Sequence, residues 1–170
     1  MEPGSDGAAD WRRILRERLP LFGHRNWIVI ADAAYPAQSG TGIETVVTGA
    51  GQLEVVEAML GAITASPHVR PVVYVDGELE FVAEADAPGA DGYRARLGEL
   101  TGRLECRRLP HEEIIAKLDA AGALFRVLIL KTTLAIPYTS VFVNLDCAYW
   151  SAGAEGRLRD RLAAPPTGSR

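Results

Sequence analysis

Residues 22–36 read Phe-Gly-His-Arg-Asn-Trp-Ile-Val-Ile-Ala-Asp-Ala-Ala-Tyr-Pro, and this stretch decides the fold prediction. A Gly-His turn leads into an apolar run from Trp27 to Ala31, which ends at Asp32. Five consecutive apolar residues predict a buried strand. Because strand ends that face a cleft are where α/β proteins place their sites, the acid that closes this strand is a candidate functional residue.

Strands and helices alternate along the rest of the chain, which predicts a single α/β domain with a mixed β-sheet flanked by helices. The Asp76-Gly77 pair is a hairpin signal between two strands. We expect a disordered N-terminus at 1–9, the domain at 10–150 and a C-terminal tail at 151–170 that is partly helical or disordered. The predicted strands are 27–31, 43–48, 71–75, 79–83, 104–108, 125–130 and 141–145, and the predicted helices are 11–19, 52–65, 93–100, 110–121 and 155–162.

Composition narrows the classes of partner. The chain has 170 residues and a net charge of −4, which argues against nucleic acid and anionic membranes as partners. No apolar run approaches the roughly 20 residues of a membrane span, and residues 1–9 have no signal-peptide core. Cys106 and Cys147 have no metal-ligand spacing, so we expect two reduced cysteines in a cytoplasmic protein.

Three short motifs carry a family resemblance. The first stretch resembles the opening motif of the RbsD/FucU family (D-ribose pyranase and L-fucose mutarotase). Residues 137–145, Pro-Tyr-Thr-Ser-Val-Phe-Val-Asn-Leu, are similar to its C-terminal motif, and residues 111–113, His-Glu-Glu, to its middle one. The residues that fit are Gly23, His24, Asp32, Ala33, Tyr35, Pro36, His111, Glu112 and Tyr138, whereas Asn26 stands where the family has Asp and Ser140 where it has Asn.

This resemblance implies an RbsD-like fold and a sugar mutarotase or pyranase, which interconverts cyclic forms of a monosaccharide through the open chain. One group removes the proton of the anomeric hydroxyl while another protonates the ring oxygen, and the roles reverse on closure. This chemistry requires no cofactor and no metal. The family forms ring-shaped homo-oligomers, commonly decameric, with sites near subunit contacts.

The candidate catalytic residues are His24, Asp32 and His111. Imidazole accepts or donates a proton near neutrality, so His24 is the leading acid/base, the alternative being a turn histidine bonded to backbone. Asp32 binds sugar hydroxyls or orients an imidazole, unless it only closes a turn. At His111 the positive end of a helix dipole favours neutral imidazole, and the alternative is a helix-surface histidine.

The candidate substrate-binding residues are Lys131, Tyr138 and Ser140. Lys131 ends an apolar strand, where it either donates to sugar oxygens or snorkels to solvent. Tyr138 and Ser140 are two apart, so in an extended segment both face one sugar. The alternatives are a half-buried aromatic for Tyr138 and a strand residue turned toward solvent for Ser140.

The distance between the two parts of the opening motif poses a geometric problem. Eight extended residues separate His24 from Asp32 by about 26 Å. The two share a site only if residues 23–27 fold back or if a neighbouring subunit supplies one of them.

Two further functions remain open. A non-catalytic monosaccharide-binding or regulatory protein on the same fold is favoured by Asn26 and Ser140. A Schiff-base lyase would use Lys131 as its nucleophile, but nothing in the sequence places a proton-transfer partner beside that lysine.

Overall fold

A computed structural model describes residues 10–164. Asp10 caps the first helix by accepting a hydrogen bond from the Arg13 amide, as its position before the apolar-periodic run predicts. Within the described residues the helices are α1 (Trp11–Arg18), α2 (Gln52–Thr64), α3 (Ala90–Thr101), α4 (His111–Gly122) and α5 (Ala152–Ala163). The strands are β1 (Trp27–Ala31), β2 (Ile43–Val47), β3 (Val69–Asp76), β4 (Glu105–Leu109), β5 (Val127–Lys131) and β6 (Val141–Cys147).

The six strands form one mixed sheet in the order β2-β5-β1-β6-β3-β4. Strand β6 pairs antiparallel with both of its neighbours, while the remaining strand pairs are parallel. The carboxyl ends of the five parallel strands and the amino end of β6 therefore meet at the same side of the sheet, which we call the carboxyl edge. The opposite side, where β1 begins and β6 ends, is the amino edge.

Helices cover both faces of this sheet. Alternate residues of β1 point to opposite sides, so that Ile28 and Ile30 pack with α1, α2 and α3, whereas Val29 packs with Ile114 and Leu118 of α4. All five residues of β1 are buried, as a continuous apolar run predicts for a strand covered on both faces. The predicted single α/β domain with a mixed sheet is confirmed.

The predicted hairpin at Asp76-Gly77 is wrong. Strand β3 extends to Asp76, and Gly77–Phe81 is a 3-10 helix instead of a strand. The next strand, β4, lies parallel to β3, because α3 carries the chain back to the other end of the sheet. The Asp-Gly pair marks a local change of direction and does not determine which strand pairs next.

The predicted disordered residues 1–9 and the last six residues of the tail lie outside the described part of the chain. Helix α5 starts earlier than predicted, because the Ser151 hydroxyl accepts a hydrogen bond from the Ala154 amide and caps it. Of the residues in 10–164, none belongs to a helix long and apolar enough to cross a membrane.

Candidate functional site

A cleft of about 410 Å³ opens at the carboxyl edge. Its walls include Asp32 after β1, Asp76 at the end of β3, His111 at the start of α4 and Tyr138 before β6. Three of the six predicted site residues, Asp32, His111 and Tyr138, thus lie in one cleft.

Strand register explains why these segments meet. Val141, the first residue of β6, pairs with Ile30 of β1 on one side and with Val75 of β3 on the other. The chain therefore brings three segments close together in space: those that follow Ile30 and Val75, and the one that precedes Val141. Clefts at the carboxyl ends of parallel strands are the usual ligand sites of open α/β sheets.

Asp76 and His111 form a hydrogen-bonded pair at the floor of the cleft. Asp76 Oδ2 lies 3.0 Å from His111 Nδ1, and the side chains are 1% and 31% exposed respectively. Burial raises the pKa of Asp76 to about 6, since removal from water disfavours the carboxylate more than the nearby imidazole favours it. The other oxygen, Oδ1, is buried and has no hydrogen-bond partner within residues 10–164.

Glu78 fixes the backbone of His111. Both Glu78 carboxylate oxygens lie 3.0 Å from the His111 amide nitrogen and accept its hydrogen bond. Pro110 is the N-cap residue of α4 and supplies no side-chain acceptor, so a carboxylate from the 3-10 helix takes that place. The hydrogen bond from the His111 amide and one from the backbone of Glu78 itself keep the pKa of Glu78 below its ordinary value.

Asp32 is held by Ser140. The Ser140 hydroxyl donates to Asp32 Oδ2 at 2.9 Å, and the Ala34 amide donates to Oδ1 at 2.8 Å. Ser140 is only 2% exposed and lies behind Asp32 instead of lining the cleft. Its place is therefore suited to orienting the carboxylate, not to contacting a bound molecule directly.

Tyr138 points its ring to the cleft from a left-handed backbone conformation. Its φ angle is 59°, so the segment is not extended there and Tyr138 and Ser140 do not share a face. The extended backbone on which the shared contact depends is therefore not found at Tyr138. The Tyr138 ring meets the His111 ring edge-on at 5.8 Å between centroids.

Lys131 supports the part of the cleft wall that contains Tyr35. Its ammonium donates to the Tyr35 carbonyl at 2.8 Å. Tyr35 itself is buried, and burial raises the pKa of its hydroxyl to about 12, so it remains protonated near neutrality. Lys131 thus holds the segment that carries Tyr35 and does not itself line the cleft.

A buried amide braces the loops below the cleft. Gln52, the first residue of α2, donates to the carbonyls of Ile30 at 3.1 Å and Thr139 at 2.7 Å. The Thr132 hydroxyl lies 2.5 Å from Gln52 Oε1, and the Tyr93 hydroxyl donates to the Thr139 carbonyl at 2.6 Å. These bonds tie the end of β1 to the loops before β6.

His24 lies at the amino edge, away from the other candidates. It is exposed and lines a second cleft of about 740 Å³, which also includes Trp150, before α5, and Glu155 in the first turn of that helix. The Asn26 side chain closes the turn at 23–26 by accepting a hydrogen bond from the Gly23 amide. It also ties this turn to the residue before β5 by donating to the Arg126 carbonyl. Residues 23–27 therefore do not fold back, and β1 separates His24 from Asp32 within one chain.

The same architecture occurs in solved structures. RbsD of Bacillus subtilis, solved in complex with D-ribose, has a TM-score of 0.54 and 19% identity, over 86% of this chain and 98% of that chain. FucU from Bifidobacterium longum has a TM-score of 0.53 and 21% identity, over 79% and 94% of the two chains. The fucose mutarotase of Streptococcus pneumoniae, in complex with L-fucose, has a TM-score of 0.50 and 20% identity, over 82% and 92%.

The chain has the RbsD/FucU fold. This confirms the predicted resemblance at the level of three-dimensional structure. The sequence itself matches no family model and no curated protein.

Sequence reasoning on this RbsD/FucU fold missed two residues of the cleft and its support. The sequence predicts a turn at Asp76, although this residue ends a buried strand, much as Asp32 directly follows one. For Gln52 the sequence predicts only the start of a helix. A polar side chain that is 2% exposed has to be hydrogen-bonded, but its partners here are carbonyls distant in sequence.

Proposed function

We propose that this chain is a sugar mutarotase or pyranase, which interconverts cyclic forms of a monosaccharide by acid–base ring opening. The observation that carries the proposal is the grouping of His111, Asp32 and Tyr138 in one cleft of about 410 Å³. That volume lies in the usual range for small-molecule sites. The fold adds support, since two of its solved examples hold D-ribose or L-fucose.

In the proposed reaction His111 is the base. Its Nδ1 faces Asp76, so Nε2 is the atom left to accept the proton of the anomeric hydroxyl. A second group donates a proton to the ring oxygen as the bond between that oxygen and the anomeric carbon breaks. The product is the open-chain carbonyl form, and closure on either face or through another hydroxyl reverses both transfers.

The proposed second group is His24 of a neighbouring copy. His24 and His111 lie at opposite edges of one sheet, so a site that uses both is completed between chains. The proposed assembly is a homo-oligomer, a ring of the decameric kind implied by the family resemblance, in which the amino edge of one copy meets the carboxyl edge of the next.

Asp32 and Tyr138 bind the sugar in this proposal. The Asp32 carboxylate is fixed by Ser140 and by the Ala34 amide, which makes it a well-placed acceptor for a sugar hydroxyl. Tyr138, 41% exposed, offers a hydroxyl and an aromatic face. Lys131 and Ser140 serve the site by holding its rim and its carboxylate.

The test measures exchange between anomers by NMR saturation transfer over a panel of pentoses and deoxyhexoses. We expect wild type to accelerate exchange of at least one sugar, and His24→Ala and His111→Ala each to abolish it. Mixing the two variants at equal amounts, with dissociation and reassembly, restores about a quarter of the sites if each site joins two chains. Glu113→Gln, an exposed neighbour of His111 outside the cleft, is the matched control and keeps full activity.

A monosaccharide-binding protein without turnover is the second candidate, favoured by Asn26 and Ser140 standing where the family motif has Asp and Asn. Sugar binding by titration calorimetry without any acceleration of exchange would establish it. A wild-type protein that neither binds nor exchanges any sugar of the panel contradicts both functions.

A further inference from the structure

We propose that Asp76 is a positioning residue that fixes the His111 imidazole with its proton on Nδ1 and so leaves Nε2 as the proton-transfer atom of the cleft. This inference rests on the proposed function for its purpose, but the state of the imidazole is measurable without any sugar. It assigns a role to a side chain that lies outside the three motifs of the family resemblance.

The burial of the two side chains differs in the way this role requires. Asp76 lies at the floor of the cleft and is only 1% exposed, while His111 in its wall is 31% exposed. The 3.0 Å contact joins Asp76 Oδ2 to Nδ1. An acceptor at Nδ1 selects the tautomer in which Nδ1 carries the proton, so Nε2 keeps its lone pair for an incoming hydroxyl proton.

Asp76 is poorly placed for a purely structural acid. Its second oxygen is buried without a hydrogen-bond partner within the described residues. A buried carboxylate whose hydrogen bonds are incomplete costs stability, and an apolar residue of similar size would serve the core better. The hydrogen bond of Asp76 goes to the imidazole of His111, which lines the cleft, and this contact gives the buried acid a role.

Other contacts limit the movement of the imidazole. Glu78 binds the His111 amide with both carboxylate oxygens, which fixes the first residue of α4. The Tyr138 and Phe142 rings meet the imidazole edge-on, at 5.8 Å and 6.5 Å between centroids. The ring is therefore held on several sides, and Asp76 determines which nitrogen faces inward.

The surroundings of Asp76 make its role as an acceptor sensitive to pH. His111 of α4 favours its carboxylate, whereas Glu78 of the 3-10 helix and Asp32 after β1 disfavour it. Because burial, reinforced by these two acids, outweighs the effect of His111, the pKa of Asp76 is raised to about 6, and Asp76 takes up a proton near that pH. Below it, the carboxylate is lost as the acceptor that holds Nδ1–H.

The experiment compares wild type with Asp76→Asn, with Asp76→Glu as the conservative variant and Glu80→Gln as the control. Glu80 is an exposed acid of the same 3-10 helix, paired with Arg108, and lies outside this cleft. In wild type near neutral pH, the ¹⁵N spectrum of His111 is expected to show the proton on Nδ1. In Asp76→Asn that preference is lost, since an amide can present either a donor or an acceptor to the ring.

Kinetics supply the second readout. We expect kcat for anomer exchange to fall at least about tenfold in Asp76→Asn with KM within about twofold of wild type, because the change affects proton transfer and not sugar contacts. The acid limb of the pH–rate profile moves in that variant, Asp76→Glu recovers part of kcat, and Glu80→Gln leaves both unchanged.

The positioning role is overturned if the His111 ring carries its proton on Nε2 in wild type. It is also overturned if wild type and Asp76→Asn have the same His111 tautomer. A loss confined to KM overturns it as well. Wild type without turnover but with the proton fixed on Nδ1 contradicts the proposed function while leaving the positioning of the imidazole established, so the two failures are distinguishable.

Discussion

Asp76→Asn is expected to stabilise the protein at neutral pH and to have almost no effect in acid. Asparagine has the shape of the protonated acid, so the variant removes the cost of ionising a carboxylate in a buried place. The pKa of Asp76 is raised from its ordinary 3.8 to about 6. At 1.36 kcal/mol per pKa unit, ionisation costs the folded state roughly 2–3 kcal/mol near neutral pH.

The sign of this difference in the free energy of unfolding follows from proton binding. The folded state keeps the Asp76 proton up to about pH 6, whereas the unfolded chain loses it near its ordinary pKa of 3.8. The cost is therefore fully present above about pH 6, shrinks as the pH falls, and is absent below about pH 4. Titrating groups that do not interact with Asp76 are common to both proteins and cancel in the difference.

Urea unfolding of both proteins between about pH 4 and pH 8 measures this difference in the free energy of unfolding. Glu78→Gln has the opposite trend, because the lowered pKa of Glu78 means that its stabilisation is present above the ordinary pKa and is lost in acid. A difference between wild type and Asp76→Asn that stays constant over the whole range would refute the assignment of a raised pKa to Asp76.

Two further predictions concern the sugar side of the cleft. Ser140→Ala removes the donor to Asp32 Oδ2, so we expect the free energy of unfolding to fall by about 1–2 kcal/mol and sugar binding to weaken. Urea unfolding and titration calorimetry measure the two effects. Unchanged sugar affinity would mean that Asp32 needs no support from Ser140. Tyr138→Phe keeps the ring beside His111 and removes one hydroxyl, so sugar affinity should fall several-fold, by about 0.5–1.5 kcal/mol, with unfolding unchanged. Equal affinities of Tyr138→Phe and wild type would exclude that hydroxyl as a ligand for the sugar.

The sequence predicts those elements whose own residues determine their structure. The apolar run of β1 gives its exact bounds, and Asp10 marks the start of α1. The hairpin after β3 fails because pairing depends on where α3 returns the chain, and the Asp76-Gly77 pair contains no information about that. Local patterns predict the elements but not the order of the strands in the sheet.

The candidate site is predictable to the same extent. His111, Asp32 and Tyr138 are found by their motifs and lie in one cleft. The role expected of Ser140 assumes an extended backbone, but Tyr138 has a positive φ angle. The role expected of Lys131 assumes a free ammonium, but this group donates to the Tyr35 carbonyl. Asp76 requires knowledge that β3 and α4 end and begin side by side, which only the folded chain supplies.

The position of β6 has a consequence for how the protein is made. Strands β2, β5 and β1 form one half of the sheet and β3 and β4 the other, and only β6 is hydrogen-bonded to both halves. It is also the last strand in the chain order of the described residues. During synthesis the two halves therefore expose the strand edges of β1 and β3 until residues 141–147 leave the ribosome. Unpaired strand edges invite association with other chains, so we expect nascent or truncated chains that end before Val141 to depend on chaperones, whereas the completed chain closes its own sheet.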